Sequence, residues 1–128
     1  MKFIGDAPSG HSILMDGPPE SGGNNVAVRP GELTLVALGG CTGIDVVGML
    51  KKMRQNIDSF EIVIEADSRK EHPKSWSKLH LKYIFKGKNL DESKIKMAIE
   101  LSQDKYCSVS DMLKKSAELT WEYQIISN

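Results

Sequence analysis

The sequence predicts an α+β fold with a largely antiparallel sheet, in the order β-β-α-β-β-α-α-β. Three observations lead there. Segments that alternate apolar with polar residues come in neighbouring pairs separated by turn-forming residues, which is how hairpins read. One long segment is apolar on every face, as a buried helix is. Two further helical patterns sit together before the last strand, and the hairpins make the sheet largely antiparallel rather than doubly wound.

The elements follow in order. Met1 to Asp6 and His11 to Met15 are two short strands joined by Ala7-Pro8-Ser9-Gly10, where proline fixes one φ and glycine frees another. Gly17 to Asn25 is rich in Gly and Pro and reads as a loop. Arg29-Pro30 announces a helix that runs to about Met53, because proline suits the first helical position, where its missing N–H has no partner to lose. Gly39, Gly40, Gly43 and Gly48 each weaken that helix by roughly 0.5–1 kcal/mol against alanine, so close approach of another backbone is expected there. Phe60, Ile62, Ile64 and Ala66 mark one half-buried strand, and Leu79, Leu81, Tyr83 and Phe85 mark a second. Ile95, Ala98, Ile99 and Ser102 recur at helical spacing within Asn89 to Tyr106, with Asp91 and Glu92 in the first turn, where negative charge suits the helix dipole. Ser108 and Asp111 read as a capping box that opens a short third helix just after Cys107. Leu119, Trp121, Tyr123 and Ile125 give the last strand.

The 128 residues, 40% of them hydrophobic, suffice for one core, so the chain reads as a single domain over 1–128. Seventeen basic and seventeen acidic residues give a formal charge of zero, which argues against nucleic acid and against an anionic membrane surface as partners. Leu33 to Leu50 is about as long as a membrane span, but Asp45 and four glycines inside it favour a buried helix. Met1 to Gly10 lacks a signal-peptide pattern, so a cytoplasmic, reducing location is expected. The two cysteines, 66 positions apart, are then no disulfide framework, and the scattered His11, His72 and His80 suggest no zinc; no resident cofactor is expected.

Cys41 lies in Gly39-Gly40-Cys41-Thr42-Gly43, which fits the Gly-x-nucleophile-x-Gly pattern, but an elbow needs a strand before the nucleophile and here a helical pattern precedes it. A small buried cysteine that lets helices pack is the competing reading. Cys107 stands beside a helix start, where free N–H groups favour a thiolate, so residue chemistry alone makes it the more acidic thiol.

Arg29-Pro30-Gly31-Glu32-Leu33, followed by Ala37-Leu38-Gly39-Gly40-Cys41-Thr42-Gly43-Ile44-Asp45-Val46, resembles the Pro-Glu-Leu…Ala-Cys helix of OsmC/Ohr proteins. Tyr106-Cys107-Ser108-Val109-Ser110 resembles the second family cysteine, and Phe85-Lys86-Gly87 with the following helix matches as well, so the likeness covers nearly the whole chain and is closest to the YhfA-like branch. The resemblance implies an OsmC-like fold with long buried central helices, an intertwined homodimer, and sites at the subunit interface. It further implies a peroxidase in which Cys41 attacks an organic hydroperoxide and becomes a sulfenic acid, Cys107 condenses with it, and an external dithiol reduces the disulfide. An arginine and a glutamate of the family activate the thiolate. Here no arginine precedes Arg29, and Glu32 stands one residue after the expected acid, so these two are the candidates. Relative to the family the chain also begins late, as if a short leading strand were missing.

Glu32 and Cys41 are nine positions apart, roughly 900° and about 13.5 Å along a helix, hence on opposite faces. Either Glu32 lies on a bend before the helix proper or it serves Cys41 of the other subunit. Asp45, one turn from Cys41 on the same face, would raise the thiol's pKa unless paired, and reads as a satisfied carboxylate at the dimer core. Two alternatives stay open: a non-catalytic module that binds an apolar or acyl ligand at the interface, and another thiol-based activity.

Overall fold

A computed structural model of the chain describes residues 1–127. The chain falls into two compact units, Met1–Ala37 and the residues from Leu38 onward.

In the first unit β1 (Lys2–Asp6) and β2 (Ser12–Asp16) pair antiparallel, Lys2 against Asp16 and Asp6 against Ser12. Gly10 turns the hairpin at a φ of 90°, a conformation open to glycine at no steric cost. The following loop is organised by one buried carboxylate. Asp16 accepts the backbone N–H groups of Gly17 at 2.8 Å, Asn24 at 2.9 Å and Val26 at 3.3 Å. Burial works against its charge, yet these donors hold its carboxyl below the usual carboxylate range. Gly23 is required here, since a Cβ at that position would collide with the backbone of Gly17.

The second unit is built on a three-stranded sheet of β3 (Ser59–Ser68), β4 (Trp76–Gly87) and β5 (Glu118–Ser127), in the order β3-β4-β5. β3 and β4 form the expected antiparallel hairpin, but β5 runs parallel to β4, Leu79 beside Leu119 and Phe85 beside Ile125. The largely antiparallel reading therefore holds for two of the three strand pairings and not for the last. The reason lies in the connection: α2 (Glu92–Leu101), a π turn (Ser102–Tyr106) and α3 (Ser108–Lys114) form a crossover long enough to return the chain in the same direction. Asp91 caps α2 by accepting the Ser93 N–H at 3.0 Å.

The helix α1 (Pro30–Lys52) is continuous, with no elbow at Cys41. Its Leu38, Thr42, Val46 and Leu50 recur every fourth residue and are fully buried, as are Leu81, Tyr83 and Phe85 on the central strand. Gly39 and Gly43 lie under β3, where an added Cβ would stand 3.3 Å from the Ile64 Cδ1 and 3.4 Å from the Ile62 Cδ1. The expected close approach is thus made by isoleucine side chains rather than by a backbone. Gly40 and Gly48 meet nothing within 4 Å.

The reading of α1 as buried on every face holds for one stripe only. Ile44 is 77% exposed and Val47 42%, because a single three-stranded sheet covers one side of a helix. The helix is long and apolar enough to cross a membrane, but a stripe packed on a sheet is what a core helix presents.

Leu81, fully buried at the centre of the sheet, is a direct probe of this core. Leu81→Ala is expected to lower the unfolding free energy by about 2–5 kcal/mol in chemical denaturation. A loss below ~1 kcal/mol would mean that the core is not organised around β4.

Candidate active site

Cys41 stands half-buried in the middle of α1, next to the core residue Thr42. Cys107 is 3% exposed and is itself the N-cap of α3. The π turn delivers it: the Cys107 N–H bonds the Ser102 carbonyl at 2.8 Å, closing a turn one residue wider than an α-helical one. Its Sγ then accepts the Ser110 N–H at 3.3 Å.

The predicted capping box is therefore displaced by one residue. Cys107, not Ser108, is extended and caps the helix, while Asp111 lies on the surface 3.8 Å from Lys115. The helix start is where the sequence puts it, but a thiol does the capping.

The fold brings the two sulfurs and an oxygen of Asp45 within 4.8 Å of one another. Both thiols are free. Partial burial works against a charge on Cys41, but hydrogen bonds from the Val109 N–H, the Cys107 thiol and Ser108 outweigh it and hold Cys41 below the ordinary thiol value, even though the Asp45 charge opposes them. Cys107 goes the other way. Its burial, followed by the neighbouring Cys41, pushes it up to about 11 against the single opposing N–H of Ser110.

This reverses the acidity expected from sequence. The backbone donors at the start of α3 are divided between the two sulfurs, and the more buried thiol loses more from desolvation than one N–H returns. Activation of Cys41 comes from a backbone N–H, a source that sequence reasoning assigned to Cys107.

A buried polar chain backs the thiols. The Ser102 hydroxyl donates to Asp45 Oδ2 at 3.0 Å, Thr42 lies 2.7 Å from both Ser102 and Tyr83, and Gln103 donates to the Tyr83 oxygen at 2.8 Å. Ser110 donates to Gln103 Oε1 at 2.6 Å, and Lys114 to the Gln103 carbonyl at 2.6 Å. Donor capacity fixes the direction. A carboxylate only accepts, so Ser102 spends its one hydrogen on Asp45; Thr42 must then donate to Ser102, and Tyr83 to Thr42. Every hydroxyl points toward Asp45. No buried side-chain nitrogen or oxygen among the described residues lacks a partner.

The role of Thr42, Tyr83, Ser102, Gln103 and Ser110 escaped the sequence reading. Its trace was there: Ser102 and Tyr83 both fall on apolar-face positions of their patterns, where a polar group needs a buried partner.

Cys41, Asp45 and Cys107 are also the one set of His, Cys, Asp or Glu side chains among the described residues close enough to share an ion. Three donors fall short of the four of a closed zinc site, and Asp45 and Cys107 are already engaged by Ser102 and Ser110. The set is better described as a thiol pair with an adjacent acid.

Arg29 and Glu32 are brought together with each other. Glu32 lies in the first turn of α1 and not on a bend before it, accepting the Arg29 N–H at 3.0 Å, with the guanidinium 4.0 Å away and also donating to Asn25 at 2.9 Å. That is a helix-capping arrangement. The principal groups acting on the Cys41 thiol come instead from residues 107–109 and Asp45.

Comparison with known proteins agrees with the residue-level resemblance. The sequence model of the family described as "OsmC-like protein" matches residues 22–122. The chain is 39% identical to Protein YhfA of Escherichia coli K12 over 127 residues, covering 99% of this chain and 92% of that one. A hypothetical protein from Aquifex aeolicus VF5 is similar in structure, with a TM-score of 0.73, 30% identity and coverage of 98% and 96%. An organic hydroperoxide resistance protein OsmC from Legionella pneumophila shares the fold, with a TM-score of 0.66, 12% identity and coverage of 97% and 95%.

The divided acidity is open to measurement. Iodoacetamide labelling followed by peptide mass spectrometry is expected to give Cys41 a midpoint below that of an ordinary thiol, with Cys107 becoming reactive only as the pH approaches about 11. Labelling of Cys107 at the lower pH would reverse the assignment.

Proposed function

Because this chain belongs to the OsmC-like family, we propose that Cys41 and Cys107 work as a peroxidatic and resolving pair that reduces small organic hydroperoxides. The observation that carries the proposal is the approach of the two sulfurs to within 4.8 Å with opposed acidities. Proteins of the same fold that are named organic hydroperoxide resistance proteins support the substrate class.

In this reading the Cys41 thiolate attacks the terminal oxygen of the hydroperoxide. The O–O bond breaks, the alkoxide leaves and takes a proton as the alcohol, and the sulfur becomes a sulfenic acid. Cys107, still protonated, does not compete for peroxide. It then condenses with the sulfenic acid to a disulfide and water, which protects Cys41 from further oxidation, and an external dithiol restores both thiols by exchange. A reducing compartment such as the cytoplasm supplies that dithiol. No resident cofactor enters the cycle.

An apolar groove of about 540 Å³ borders Asp45 and is lined by Ile44, Met49, Met53, Leu101 and Tyr106. Such a lining suits an alkyl or aryl group better than hydrogen peroxide. The same face of α1 carries the uncovered Ile44 and Val47, so we assign it to contact with a second copy of the chain, which sets the thiols beside a homodimer interface. The roles that the family gives to an arginine and a glutamate belong to this proposal as well, with Arg29 and Glu32 serving the thiol of the second copy.

One equivalent of tert-butyl hydroperoxide is expected to remove both thiols and leave an intramolecular disulfide in non-reducing mass spectrometry. Cys107→Ser should stop at a sulfenic acid on Cys41 and over-oxidise with excess peroxide, while Cys41→Ser should consume none. Two intact thiols in the treated protein, or the variants behaving in reverse, would overturn the assignment. Light scattering is expected to give about twice the 14.2 kDa chain mass. A folded monomer at micromolar concentration would remove the interface from the proposal.

A further inference from the structure

Resolution of the sulfenic acid poses a proton problem that attack does not. Cys107 enters as a thiol, buried and 3% exposed, and its sulfur already accepts a hydrogen bond from Ser110. Its S–H proton must leave as the S–S bond forms, and the hydroxyl on Cys41 must gain a proton to depart as water. Resting on the peroxidatic reading, we propose that the Asp45 carboxylate carries this proton, taking it from the Cys107 thiol and delivering it to the departing hydroxyl of Cys41.

The step balances: the S–H bond of Cys107 and the S–O bond of Cys41 break, one S–S bond and one water form, the Cys107 sulfur is oxidised as the Cys41 sulfur is reduced, and Asp45 ends ionised as it began. An Asp45 oxygen lies within 4.8 Å of both sulfurs. The titratable groups around it are Cys41 and Lys52 on α1, Tyr83 on β4, Tyr106 at the end of the π turn, and Cys107. None of these described neighbours is a second carboxylate. An ammonium donates rather than accepts, and Tyr83, pushed up by burial, spends its hydrogen on Thr42. The buried chain of hydroxyls ends on Asp45 Oδ2 and fixes the carboxylate while leaving it further lone pairs.

The charge of Asp45 opposes ionisation of Cys41, so it hinders the attacking thiol that it adjoins. A carboxylate kept there against the first step has its use in the second.

The test is a two-phase reaction with the disulfide reagent DTNB, which bypasses peroxide. Cys41 takes up one thionitrobenzoate, and Cys107 displaces it in a second release that requires loss of the Cys107 proton. Asp45→Asn keeps the shape and an acceptor for Ser102. It is expected to leave the first phase unchanged or faster and to slow the second by about 10²–10⁴-fold, the usual range for a lost general base. With tert-butyl hydroperoxide the same variant should accumulate dimedone-reactive sulfenic acid and over-oxidise. A second phase as fast as wild type, or faster, would overturn the proposal and leave Asp45 as a charge that merely suppresses ionisation.

Should Asp45→Asn not fold, the wild-type second phase decides. With an internal acceptor its rate holds through neutral pH, whereas reaction through free thiolate falls roughly tenfold per pH unit below about 11. Failure of the parent reading looks different: no sulfenic acid forms in wild type with peroxide, yet the second DTNB phase still depends on Asp45.

Discussion

Thr42 follows Cys41 on α1, is fully buried, and sets its hydroxyl 2.7 Å from those of Tyr83 and Ser102. This junction ties the helix to the central strand and to the π turn at once. With Leu38, Val46 and Leu50 it fixes the rotation of α1, and the rotation decides which neighbours of Thr42 face outward. Cys41 and Asp45 are left half-buried at the edge of the core, where Cys107 meets them.

Once the sulfurs are brought together, desolvation sorts them. A thiol at the rim keeps enough solvent for three hydrogen-bond donors to win, and a thiol behind it does not. Each pKa unit between the two is worth about 1.4 kcal/mol of preference for one charge state. A single negative charge can therefore sit on Cys41 while its partner stays a donor to it, and mutual repulsion keeps the second proton in place. The difference in acidity between the two sulfurs thus follows from their depth and from the donors each one meets.

What sequence could show depended on the range of the interaction. Strand alternation at Phe60–Ala66 and Leu79–Phe85, the helix from Pro30 and the set Ile95, Ala98, Ile99 and Ser102 are local patterns, and they appear in the fold at those residues. The meeting of Cys41 with Cys107 was legible only through family resemblance, because 66 intervening residues carry no periodicity that brings two positions together. The parallel β5 escaped for a related reason: its alternation is the same in either direction, and the length of the crossover allows both. The acidity was misread because a helix start was weighed without the burial that accompanies it. The local contact of Glu32, which accepts the Arg29 N–H, was likewise not legible before the backbone was seen.

Among the described residues of the second unit, the core is polar in one place. Leu79, Leu81, Phe85, Ile95, Ala98 and Ile99 are buried without a polar side-chain atom, whereas Thr42, Ser102, Gln103 and Ser110 are buried in the layer behind the two sulfurs, with the Tyr83 hydroxyl among them. An unsatisfied buried polar group costs about 1–3 kcal/mol, and a satisfied one returns little more than its desolvation. An apolar layer of the same volume would hold the sheet and helices at least as well. What an apolar layer cannot do is impose a direction. Because Asp45 accepts and never donates while ionised, each hydroxyl behind it has a single orientation, and the rotamers of Ser102 and Thr42 are fixed by a group at the rim. Ser110 connects the far end of the same chain to α3, whose first residues hold both thiols. The network thus joins the carboxylate to the two sulfurs through fully satisfied contacts, and the placing of Cys41 and Asp45 on α1 against Cys107, 62 or more residues further along the chain, is set by hydrogen-bond polarity as well as by packing.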